Sequence, residues 1–145
     1  MKFILMMQFP LGDWKTKGLE AWPPQDVKAH MDFLRRFNKE LTEAGEFVRT
    51  EGLGGPEQMK VVRARKDGAP AITDGPFAES KEVLGGYWMI DVKSREEAIG
   101  WAKRCPASSN EIIEIRQVQE MSDFPADVQQ AAAGFTELQR GPAAR

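Results

Sequence analysis

The sequence contains one histidine, His30, and its position decides whether it could transfer a proton. Apolar side chains such as Val27, Leu34 and Leu41 recur at helical spacing over residues 25–44, and they define the helix face that packs on a sheet. His30 lies one turn before Leu34 on that face, so we expect its imidazole to point toward the sheet. A side chain that titrates near neutral pH suits both halves of a proton transfer. The alternative is a half-buried structural histidine whose ring nitrogens bond to backbone or water.

Asp74 is the carboxylate that could orient or charge His30. It lies in the stretch ITDGPFAESKEVLGGYWMIDV, residues 72–92. A carboxylate beside a catalytic imidazole fixes its tautomer and stabilises its protonated form. Asp74 can also be interpreted as a structural residue of a turn. Aspartate side chains hydrogen-bond to nearby backbone, Gly75 can adopt unusual dihedral angles, and Pro76 restricts the backbone where the chain leaves the turn. The two roles are compatible, since a rigid turn can hold a carboxylate at the edge of a cleft.

Further residues near this pair are candidates for contact with a small-molecule ligand. Asn38 lies two turns after His30 on the same helix face, which favours a polar pocket beneath the helix. The glycine pair that precedes Tyr87 indicates a bulge or a close backbone approach, where a ligand can touch the main chain. Tyr87 and Trp88 point to opposite faces of a strand, so one of them can line a cavity. Phe77 is expected to anchor the turn in the core. The predicted contact set is Asn38, Gly75, Phe77, Gly86, Tyr87 and Trp88.

Several chemistries lack the residues that would perform them. With one histidine and one cysteine there is no Cys/His cluster, so we expect no metal site and no cofactor. The segment GLGG at 52–55 lies between predicted strands and lacks the lysine of a phosphate-binding loop. A net charge of -2 gives no electrostatic reason to bind nucleic acid or an anionic membrane. Cys105 has no partner for an internal disulfide, so we expect a cytoplasmic protein with this thiol in its core.

The elements that must position these residues follow from hydrophobic patterns and turn signals. Pro24 and Gly45 bound the first helix, and Ser94 with Glu97 forms a capping box for the second. The order is β-α-β-β-(turn)-β-α-β, which predicts a ferredoxin-like α+β fold: an antiparallel sheet with two helices on one face. Strands are predicted at 2–9, 46–51, 59–65, 71–73, 85–92 and 111–118, and helices at 25–44 and 95–105.

The chain divides into an α+β domain, residues 1–118, and a C-terminal helical extension, residues 119–145. The extension begins its helix at Asp123 and Pro125, and its apolar stripe must be buried against another surface. The sheet also has a bare face, and exposed apolar patches of that size usually indicate association. We therefore expect a homodimer with two-fold symmetry. The stripe consists of Phe124, Val128, Ala131, Phe135 and Leu138.

The stretch 72–92 resembles the signature of the YCII-related family, in particular its DGPF-domain branch. The resemblance extends over residues 1–118 and includes MKFILMMQF, LTEAGEFV, EGL, SREEAIGWAKRCP and IIEIRQV. It implies a dimeric α+β fold of the dimeric α/β-barrel type, similar to muconolactone-isomerase-like proteins. It also implies a His–Asp active-site pair, for which His30 and Asp74 are the matching positions. Members of the DGPF branch are often encoded near extracytoplasmic-function sigma factors.

Two functions from different classes follow from these residues and this resemblance. The first is a small-molecule-binding protein or an enzyme that moves a proton on a small organic acid. Its cleft would lie between helix 25–44, the DGPF turn and the 10–24 loop, with His30 and Asp74 as the reacting pair. The alternative is a regulatory interaction module, for example with a sigma factor, which docks through the C-terminal helix without catalysis. A vestigial site is a third interpretation.

Overall fold

The computed structural model describes residues 1–12, 19, 22–66, 68–75, 81–105 and 111–134. Phe77, one of the predicted ligand-contact residues, lies outside these ranges, as do Phe135 and Leu138 of the C-terminal stripe. Most of the loop that precedes the first helix is also outside them. The helices are α1 (Pro24–Glu43), α2 (Arg95–Ala102) and α3 (Ala126–Ala131), and the strands are β1 (Lys2–Pro10), β2 (Phe47–Gly52), β3 (Lys60–Arg65), β4 (Gly68–Asp74), β5 (Glu82–Asp91) and β6 (Ile112–Gln117).

The main sheet has four antiparallel strands in the order β2-β5-β1-β6. This is the ferredoxin-like arrangement, so the predicted α+β fold is confirmed. β1 occupies a central position, as its nearly continuous apolar sequence indicates. Its alternate residues Phe3, Leu5 and Met7 are buried. They pack with Phe37 and Leu41 of α1 and with other buried side chains of β5 and α2 into one core, so both helices cover the same face.

The ends of α1 agree with the residues that predict them. Pro24 occupies the first helical position, where its missing N–H costs no hydrogen bond. At the other end, Gly45 adopts a positive φ of 74°. The Gly45 N–H donates to the Thr42 carbonyl and the Glu46 N–H donates to the Leu41 carbonyl, each at 3.0 Å. This is the Schellman pattern, and it ends the helix where the chain must turn into β2.

The second helix, α2, begins as predicted but ends earlier. The Ser94 side chain accepts a hydrogen bond from the Glu97 N–H at 3.1 Å, which caps the N-terminus. The helix ends at Ala102 rather than 105, because the N–H groups of Arg104 and Cys105 donate to carbonyls three residues back, in tighter turns. Of its apolar residues, Ala98 and Trp101 are buried, whereas Ile99 is 37% exposed. The apolar face of this short helix is therefore narrower than the sequence indicates.

The prediction of a single sheet is wrong for β3 and β4, which form a separate two-stranded sheet. β3 carries charged side chains on both faces, Lys60 on one and Arg63 on the other, so neither face suits the core. The cross-strand neighbours Val62 and Ile72 are 62% and 68% exposed. The hairpin therefore projects from the domain rather than widening the main sheet.

The segment after β6 contacts β1 through a backbone hydrogen bond from Val118 to Lys2 and through an ion pair. Lys2 Nζ lies 2.8 Å from Glu120 Oε1, and this interaction raises the pKa of Lys2. No residue of α3 is buried, and Val128 of the predicted stripe is 40% exposed. Among the residues that the structure describes, no helix combines the length and apolar composition needed to cross a membrane.

The single cysteine belongs to the core, as predicted. Cys105 is 9% exposed and packs in the same cluster as the β1 side chains. Burial raises the pKa of its thiol to about 12, because the thiolate loses its hydration. A thiol in this state is a poor nucleophile, so Cys105 contributes packing rather than chemistry.

Candidate functional site

His30 lies in the second turn of α1 and is half-buried. Its imidazole meets the indole of Trp22 edge to face, with ring centroids 5.4 Å apart and planes 72° apart. Within the described part of the chain, neither ring nitrogen makes a hydrogen bond. The ring is thus held by packing, and its proton-carrying atoms remain available to a ligand or to water.

Asp74 ends β4 and lies mostly in solvent. Its side chain is 83% exposed and forms an ion pair with Lys60, its cross-strand neighbour in the hairpin. Gly75 follows with a φ of +79°, and its N–H donates to the Met59 carbonyl at 2.8 Å. The unusual dihedral angle predicted for Gly75 is therefore present, whereas the Asp74 carboxylate pairs with a lysine side chain rather than with nearby backbone. No hydrogen bond or ion pair among the described residues joins Asp74 to His30.

The structure brings two of the predicted ligand-contact residues together. Trp88 is 3% exposed, and its indole N–H donates to Asn38 Oδ1 at 2.8 Å. Asn38 thus satisfies a buried donor in the core instead of lining an open polar pocket. Tyr87 points to the opposite face, beside Met6 of β1. The close approach predicted at Gly86 exists, but its neighbour is β2: a Cβ there would lie 2.9 Å from the Glu51 carbonyl oxygen.

A cavity that the sequence analysis missed lies between α1 and the chain just after α2. Its volume is about 330 Å³. Four of its lining residues recur at spacings of three and four on one side of α1, and the fifth follows α2 by two residues. This spacing is the sequence signal from which the cavity could have been predicted. The same spacing also occurs on the solvent-exposed side of an ordinary helix. The lining residues are Phe33, Arg36, Phe37, Glu40 and Arg104.

The sheet face opposite the helices carries apolar side chains at its centre. Ile4 and Met6 of β1 lie beside Met89 and Tyr87 of β5, and all four are half-buried. Ile112 of β6 is 50% exposed at the edge of the same face. Polar pairs flank these residues: Arg49 with Glu51 at 2.6 Å and Gln8 with Glu114 at 3.3 Å.

Comparison with known proteins agrees with this architecture. Residues 1–122 match the YCII-related domain. The chain belongs to the YCII-related family. The resemblance seen in the sequence is thereby confirmed at the family level, over nearly the same residues. This YCII-related protein is also similar to the uncharacterized protein R00369 of Rhizobium meliloti (strain 1021), with 31% identity over 83 residues, which cover 57% of this chain and 66% of that protein. The match thus spans just under two thirds of the relative's length.

Proposed function

We propose that this YCII-related protein binds a small organic acid at the N-terminal end of α1 and that His30 transfers a proton there. The observation that supports this proposal is the half-buried imidazole with no hydrogen bond from the described residues to either ring nitrogen. An imidazole can accept and donate a proton near neutral pH if a ligand reaches one of these nitrogens. Partial burial beside an aromatic ring limits competing contact with water.

Trp22 has a supporting role in this proposal. Its indole meets the His30 ring edge to face, an arrangement that aromatic pairs prefer over a stacked sandwich. The contact restricts the rotation of the imidazole, and an oriented base reacts more efficiently than a mobile one. The same indole offers an apolar surface to the hydrocarbon part of an organic acid.

Asp74 supports His30 in the proposed mechanism only after it leaves Lys60. Both side chains of that ion pair are exposed, at 83% and 61%, so solvent screens their attraction. Asp74 can therefore break its ion pair with Lys60 and bind another group at a small cost in free energy. Asp74 lies at the end of the β3–β4 hairpin, and in this proposal ligand binding selects an arrangement in which its carboxylate faces the imidazole.

A thermal-shift screen of small organic acids tests the proposed site. A ligand that binds only the folded state raises the melting temperature. We expect at least one acid to raise the melting temperature of the wild type and of the Lys28→Gln control but not that of His30→Gln. Lys28 lies two residues away, is 77% exposed and pairs with Asp32. The proposal would be wrong if every acid that stabilises the wild type stabilised His30→Gln equally.

We also propose that the protein is a homodimer joined through the sheet face opposite the helices. The apolar side chains at the centre of that face and the polar pairs that flank them resemble the core and rim of an interface. A regulatory module that contacts a sigma factor, and a cytoplasmic location, remain predictions that no observation on the described residues favours.

The dimer proposal predicts a change of mass on substitution at the sheet face. Ile112→Glu is expected to convert a particle of about twice the 16.3 kDa chain mass into a monomer, because it places a charge in an apolar interface. Ile99→Glu is the control, since Ile99 lies on α2 on the other side of the sheet and is 37% exposed. Sedimentation velocity measures the particle mass of the wild type and of both variants. A wild-type monomer at tens of micromolar, or a dimeric Ile112→Glu, would refute this interface.

A further inference from the structure

The cavity between α1 and the end of α2 has a rigid aromatic floor. Phe37 forms this floor and is 3% exposed. The rings of Trp88 and Trp101 meet it edge to face at centroid distances of 5.3 and 5.7 Å. Each indole N–H is also anchored, in Trp88 by Asn38 and in Trp101 by the Glu46 carboxylate. These contacts fix the floor in one conformation, so a flat ligand would meet a surface that is already formed.

The walls of the cavity carry more positive than negative charge. Arg104 places its guanidinium 4.5 Å from the centroid of the Trp101 ring and forms an ion pair with Glu40. Arg36 lies 5.5 Å from the centroid of the Phe33 ring. Among the described residues, no carboxylate pairs with Arg36. Of the two guanidiniums that line the cavity, Arg36 is therefore the one that retains its capacity to bind an anion.

We propose that this cavity is a binding site for a small aromatic monocarboxylate, with the carboxylate on Arg36 and the ring against Phe33, the more exposed of the two phenylalanines that line it. The planar fork of a guanidinium matches the two oxygens of a carboxylate, which gives two parallel hydrogen bonds. Two phenylalanines line the cavity beside three charged side chains, so it offers both an apolar surface and groups that can orient a ligand. The volume of about 330 Å³ is at the lower end of the range for such sites, which suits a single-ring acid.

This site is distinct from the one proposed at His30. His30 is not among the residues that line the cavity. Phe33, which does line it, follows His30 by one helical turn. The inference therefore goes beyond the proposed function, and each can fail without the other.

Glu40 sets the selectivity of the site. Its carboxylate occupies Arg104 and places a negative charge inside the cavity. A ligand with one negative charge can bind Arg36 without displacing Glu40, whereas a second negative charge would meet Glu40. The arrangement thus favours monoanions over dianions. Removal of the Glu40 charge is expected to strengthen the binding of any anion. One repulsive group is lost, and Arg104 is released from its ion pair and can bind the anion as well.

Calorimetric titration of the full-length protein with benzoate tests the site. We expect saturable binding that weakens at least tenfold in Arg36→Gln and is unchanged in Arg35→Gln. Arg35 is a matched control because it is the preceding residue on α1, is 75% exposed and pairs with Asp32 at 2.7 Å. Glu40→Gln should bind benzoate severalfold more tightly. Benzamide, which has the ring without the charge, and acetate, which has the charge without the ring, should each bind at least tenfold more weakly.

The outcomes separate this inference from the one at His30. No saturable benzoate binding by the wild type, equal binding by Arg36→Gln, or equal binding of benzamide would each overturn the site. His30→Gln should bind benzoate as the wild type does. Loss of benzoate binding in His30→Gln, with Arg36→Gln unaffected, would refute the Arg36 site and move the ligand to the end of α1. Circular dichroism of each variant verifies that the fold is retained.

Discussion

Replacement of Phe37 by alanine is expected to lower the free energy of unfolding by about 3–5 kcal/mol, the usual cost of a large aromatic truncation in a core. Phe37 is 3% exposed and contacts the rings of both Trp88 and Trp101. Both indoles are anchored by hydrogen bonds, so they cannot move freely into the space that the ring vacates. The void left by the removed ring therefore persists in the variant. We expect the decrease in the free energy of unfolding to lie at the upper end of the range for buried apolar residues.

Phe33→Ala is the matched control for this prediction. It removes the same side chain from the same helix, one turn away, where the ring is 37% exposed. We expect the free energy of unfolding of this variant to fall by no more than about 1 kcal/mol, because the Phe33 side chain buries less apolar area and its removal leaves no closed void. Urea denaturation followed by tryptophan fluorescence measures both variants. Equal losses for Phe33→Ala and Phe37→Ala would show that α1 does not pack on the sheet through the face assigned to it.

Much of the fold was predictable because its signals are local. Pro24 and Gly45 mark the ends of α1 through backbone chemistry that does not depend on the rest of the chain. The continuous apolar sequence of β1 predicts a central strand, since only a central strand is covered along its whole length. The charged side chains on both faces of β3 indicate that neither face belongs in the core, but they do not by themselves predict the separation of the β3–β4 hairpin from the main sheet. It depends on which strand edges are available to pair, a property of the assembled sheet.

The candidate site was predictable only in part. Helical spacing identified the buried face of α1 through Leu34 and Leu41, and the sequence around Gly75 identified its backbone geometry. The partner of Asp74 could not be identified, because Lys60 becomes its neighbour only through the register of the hairpin. The cavity at Arg36 was missed for a similar reason. Its fifth residue, Arg104, lies 64 residues from Glu40 and meets it only when both helices pack on the same sheet face.

Replacement of His30 by glutamine is expected to lower the rate of any proton transfer that the protein catalyses by a factor of about 10²–10⁴. Glutamine retains a polar side chain of similar reach but does not titrate near neutral pH, so it can neither accept nor donate the proton. Asp74→Asn should lower the rate by a smaller factor, because the carboxylate acts through the imidazole. Lys60→Gln should not lower it, since this substitution releases Asp74 from its ion pair.

The most direct test of the role of His30 is the exchange of substrate protons with solvent deuterium. The substrate is the organic acid whose stabilising effect depends on His30 in the thermal-shift screen, and one-dimensional proton NMR in deuterium oxide follows the loss of its exchangeable C–H signal. We expect exchange catalysed by the wild type and by Lys28→Gln, with a rate about 10²–10⁴ times lower in His30→Gln. Exchange by folded His30→Gln at the wild-type rate would contradict this expectation.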